Sequence, residues 1–97
     1  MNPSKETLTF FAKELRRLIQ QEPRSKDELK AWYDAVEKFR KKVRPFDHDA
    51  LPHFVWHYLD DADIGLKDPA YKASQDKRIE TIISALERGE VPDYWQA

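Results

Sequence analysis

The chain has 97 residues, 40% apolar and 36% charged, with a net charge of −1, which suits one domain with a small core under a heavily solvated surface. It contains no cysteine, so disulfides and thiolate metal sites are excluded, and no apolar run approaches the roughly 18 residues that a membrane span requires. The start, MNPSKETLTFF, lacks the apolar core and cleavage site of a secretory signal, so a soluble cytoplasmic protein is the expectation.

With only two glycines, and six prolines mostly between periodic runs, the punctuation is that of helices joined by short turns. The first helix is expected over residues 4–21, with Leu8, Phe11, Leu15 and Leu18 as its stripe, widened by Ala12 and Ile19, and Pro23 beyond its end. The second, over 25–43, opens on a capping box of Ser25 and Glu28. Leu29, Trp32, Tyr33, Val36, Phe39 and Val43 mark its buried face, and Arg44-Pro45 stops it. The third is shorter, 50–62, with Asp49 as N-cap and Pro52 in the first turn; Leu51, Phe54, Val55, Tyr58, Leu59 and Ala62 make its apolar face. The fourth, 69–88, begins at Asp68-Pro69, carries Tyr71, Ile79, Ile82, Ile83 and Leu86, and reaches Gly89 as a left-handed cap. The tail, 89–97, has no helical period. No segment alternates at period two, so the expected fold is all-α. A single up-down four-helix bundle spans 1–97 in this reading, with three main helices plus an irregular third segment as the fallback.

Residues 1–46 hold twelve Lys/Arg against seven Asp/Glu, a net +5, and residues 47–97 a net −6. In an up-down bundle the acidic end of the third helix (Asp60, Asp61, Asp63) meets Arg16, Arg17, Arg24, Lys26 and Lys30, and the basic end of the second meets Asp47, Asp49, Glu87 and Glu90. Such pairing accounts for the asymmetry without any partner.

All three histidines (His48, His53, His57) and six of the ten aspartates fall between Asp47 and Pro69. At 100° per residue His53, Trp56, His57 and Asp60 project from the polar side of the third helix. His53 and His57 are one turn apart, so with Asp60 they form a candidate metal set. The zinc-protease pattern fails because Phe54 stands where its glutamate belongs. An EF-hand fails because Leu66 and Lys72 occupy the required glycine and glutamate positions. His57 with Asp60 or Asp61 gives an acid–base dyad without an oxyanion stabiliser or nearby serine.

Trp56 is either covered, with Val91, Tyr94 and Trp95 of the tail as candidates, or a protein-interface anchor beside His53, His57 and Asp60. Lys38, Arg40, Lys41, Lys42 and Arg44 form a basic patch, but the domain as a whole is not basic and nucleic acid is disfavoured. The expectation is a small intracellular helical module that binds another protein, or a second copy of itself, with no cofactor and no catalysis. Metal or small-ligand binding through the His/Asp flank and weak nucleic-acid binding through the basic patch are the alternatives. Tyr94 and Trp95 join the partner-binding set.

Overall fold

Every amphipathic stripe in the chain turns inward in the computed structural model, which describes residues 4–46 and 51–91. Among them there are five α-helices and no strand, an all-α fold as the periodicity requires. None of these helices is long and apolar enough to cross a membrane.

α1 runs Lys5–Ile19, and the Ser4 hydroxyl accepts the Thr7 amide at 3.1 Å as its N-cap. Its stripe is the expected one: Leu8, Phe11, Ala12, Leu15 and Leu18 are buried. A 3₁₀ turn, Lys26–Glu28, leads into α2, Leu29–Val43. Here the expected capping box does not form. Ser25 is extended but its hydroxyl caps nothing, while the Glu28 carboxylate reaches back to the Arg24 amide at 2.6 Å. The entry turn winds as 3₁₀, so the box geometry, which needs a regular first α-turn, is not available.

The third segment departs furthest from expectation. α3 spans His53–Asp60 and begins three residues later than its apolar pattern suggests. Pro52, extended at φ −65° and ψ 152°, occupies the N-cap position rather than the first turn. Asp49, the expected cap, lies outside the described residues. After Asp61 the chain re-enters a short helix, α4 (Ala62–Lys67), at a place that reads as a connection because six residues carry no period. α5, Pro69–Glu87, starts as expected: Asp68 accepts the Tyr71 amide at 3.1 Å and Pro69 opens the helix. It ends in a Schellman motif. Gly89 sits at φ 74°, its amide bonds Leu86 O at 2.9 Å, and the Glu90 amide bonds Ala85 O at 3.0 Å.

α1 packs against α5 and α2, α3 against α2 and α5, and α4 against α5. The shared core includes Phe11, Leu15, Trp32, Val55, Leu59, Ile82, Ile83 and Leu86. The break at Asp61 leaves carbonyls at the end of α3 without the next helical turn, and α2 supplies the donors. Trp32 Nε1 donates to Leu59 O at 3.0 Å and the Tyr33 hydroxyl to Asp60 O at 3.2 Å.

The charges do pair across the two halves of the chain, but not with the partners that the pole-to-pole reading names. Asp60 meets Arg40 at 2.8 Å rather than Arg16, Arg17, Arg24, Lys26 or Lys30. Arg16 instead bridges to Glu87 and Glu80 of α5 at 2.9 and 3.0 Å, and holds the Glu87 carboxyl below its usual range. Lys42 reaches Glu14 at 3.4 Å and Arg88 pairs with Glu90 at 3.1 Å, while Asp47 and Asp49 lie outside the described residues. These pairs are largely exposed, so each contributes under about 1 kcal/mol and favours one arrangement more than it adds stability.

Trp32→Phe keeps a ring in the core and deletes the donor to Leu59 O. The expected cost is about 1–3 kcal/mol in urea unfolding, with an unchanged denaturant slope. A midpoint identical to that of the parent would show that the bond caps nothing of consequence.

Candidate functional site

α3 is the element on which the sequence places its chemistry, and its outward arc is narrow. Val55 and Leu59 are fully buried, and Phe54 and Tyr58 nearly so. What remains outward is His53, His57 and Asp60, all exposed, and Trp56, half-buried. Trp56 and Phe54 bound this arc on its two sides, about 160° apart at 100° per residue.

Each boundary aromatic carries an arginine. Arg40 of α2 lies over the Trp56 ring with its guanidinium carbon 5.4 Å from the centroid, and Arg78 of α5 lies over Phe54 at 4.3 Å. Phe39 approaches Trp56 at 5.7 Å with the planes 49° apart. The indole is therefore held by α2; Val91 is half exposed, and Tyr94 and Trp95 lie outside the described residues. A groove of about 200 Å³, lined by Arg40, Val43, Arg44 and Trp56, opens beside the ring.

The acid–base and metal alternatives meet a different geometry. Asp60 is committed to Arg40 at 2.8 Å and Asp61 to the Tyr71 hydroxyl at 2.9 Å, so neither carboxylate orients His57. Among the described residues no group of three or more His, Asp or Glu side chains is placed to hold a metal ion. His53, His57 and Asp60 share a face without converging, and His48 lies outside the described residues. The basic patch also divides. Arg40 turns to α3 and Lys42 to Glu14 on α1, which leaves Lys38, Lys41 and Arg44 exposed without an ion pair among the described residues.

A second polar cluster has no counterpart in the sequence reading. Glu22, in the turn after α1, accepts the Tyr58 hydroxyl and Lys72 Nζ (2.8 Å); Asp76 accepts both as well, at 3.1 and 2.9 Å. The four side chains come from three distant stretches of chain, and the only local signal is the Lys72–Asp76 i,i+4 spacing. They surround a cavity of about 30 Å³ walled also by Trp32, Leu66 and Tyr71. That is room for a water or two and no more.

The protonation of this cluster fits a latch. Burial, reinforced by Glu22 and Asp76, pushes the Tyr58 hydroxyl far above its ordinary value. Burial pulls the Lys72 ammonium down, but the same two carboxylates outweigh it and the net shift is upward. Both groups therefore stay protonated near neutral pH and serve as donors to the carboxylates, tying the end of α1 to α3 and α5.

Comparison of the chain with protein-family models, curated proteins and solved structures gave no match in any of the three.

The raised groups set an alkaline limit. A proton held more tightly in the folded state stabilises the fold fully below the unfolded pKa, and that contribution falls as pH rises beyond it. Stability should therefore decline above the ordinary tyrosine value of about 10, and Tyr58→Phe should flatten the decline. Melting temperatures taken across that range test this; parallel curves for parent and variant would contradict it.

Proposed function

We propose that the chain is a small intracellular helical module that binds another protein on the outward face of α3, without catalysis of its own. Trp56 is the anchor, flanked by His53, His57 and Asp60. The supporting observation is the state of the indole: half-buried, stacked under Arg40, held by Phe39, and open on one side to a groove.

A tryptophan held in this way suits binding for two reasons. It offers a large amphipathic contact, of the kind that dominates interface energetics. It also loses little further freedom when a partner closes over it, so less of the contact energy is offset by ordering. The exposed polar side chains along α3 then form the hydrated rim that such anchors have. The Glu22–Tyr58–Lys72–Asp76 latch supports this reading indirectly, because it holds α3 to its neighbours from the inner side.

Cross-linking of the purified chain to its partners, compared across variants, tests the proposal. Trp56→Ala should weaken capture by about 30-fold or more, the range of a hot-spot residue. Because that side chain is partly buried, the double variant His53→Ala/His57→Ala, confined to exposed positions, is the companion. It should weaken capture while leaving the melting temperature unchanged. Identical captured partners for both variants and the parent would refute the proposal.

A further inference from the structure

We infer that the segment docking on α3 is acidic, with carboxylates on both sides of an apolar side chain; this rests on the reading of α3 as a protein-binding face. The argument is one of charge complementarity around the arc from Trp56 to Phe54. Two carboxylates are described beside Trp56, and both belong to Arg40: Asp60 at 2.8 Å and Glu37 at 3.6 Å. Arg44, beside the Trp56 groove, and Arg78, over Phe54, have none among the described residues, and neither does Lys41 on the same turn of α2 as Arg44.

These cations stand on opposite flanks of one helix. Arg44 is the C-cap residue of α2 and Arg78 belongs to α5, and α3 lies in contact with both helices. A chain segment crossing α3 therefore meets a positive group as it enters and another as it leaves. Between them it passes the groove walled by Val43 and the indole, where an apolar side chain fits. Arginine suits this role because its planar fork receives a carboxylate through two parallel bonds.

The same geometry disfavours single-stranded nucleic acid, the other polyanion that a basic, aromatic surface attracts. Base recognition of that kind needs an open aromatic face for stacking. Arg40 lies over the Trp56 ring and Phe39 packs against it at 5.7 Å, so both occupy space that a stacked base would need.

The test uses the full chain, ¹⁵N-labelled, titrated with three probes: a synthetic peptide with Glu and Asp flanking a Leu-Phe pair, the same peptide with Lys in place of the acids, and an oligouridylate. The acidic peptide should shift the Trp56 indole N–H resonance and release with added salt. Arg44→Glu, at an exposed position, and Arg44→Glu/Arg78→Glu should each weaken it by about tenfold or more, and the double variant should gain binding of the Lys peptide. Equal binding of the two peptides, or preference for the oligouridylate, overturns the inference. If neither peptide binds while Trp56-dependent capture of a partner persists, the acidic assignment falls and the docking face stands. If capture also ignores Trp56, both fall.

Discussion

An isolated helix of eight residues is not stable in water, because the cost of nucleation exceeds what so few backbone bonds return. α3 is such a helix, His53–Asp60, so its existence depends on what its neighbours, α2 foremost in hydrogen bonds to its end, do to it. Trp32 and Tyr33 donate to the carbonyls at its broken end, while Phe39 and Arg40 hold Trp56 in its middle. The inner face completes the arrangement by burying Val55 and Leu59 in the core. One helix thus acts as a clamp along the other. The position of each outward side chain on α3 follows from that clamp.

The clamp also accounts for the electrostatics. Acidic residues at a helix C-terminus face the negative end of the dipole, so Asp60 and Asp61 require compensation. Arg40 supplies it to Asp60 while covering the Trp56 ring, and the Tyr71 hydroxyl supplies it to Asp61. Arg40 therefore does two jobs from one position. The Glu22–Tyr58–Lys72–Asp76 cluster works on the other side of α3. It is a partly exposed polar network at the edge of the core, and its members satisfy one another.

The sequence was most informative where its signals were local. The stripe of α1, the Asp68-Pro69 start of α5 and the Gly89 cap are all written in adjacent residues, and the structure contains each of them. Signals that depend on the chain's return to itself were not legible. Asp60 reads as needing a cation, but its neighbours in sequence do not show that Arg40 supplies it in preference to the cations at the end of α1 and the start of α2. Tyr58 reads as one more apolar position because its spacing fits the stripe; only the fold brings Glu22 and Asp76 to its hydroxyl. α4 escaped because it is too short to show a period and owes its place to α5. Trp56 is legible for the opposite reason: an indole on a polar flank is a local anomaly in any fold.

Amide hydrogen exchange of the free chain, read residue by residue along α3, addresses the clamp most directly. If α2 holds this helix in place before any partner arrives, the amides in its second turn exchange on the slow scale of α1 and α5. Exchange at the rate of an unstructured peptide would mean that α3 forms only on binding, and that Trp56 is not a pre-set anchor.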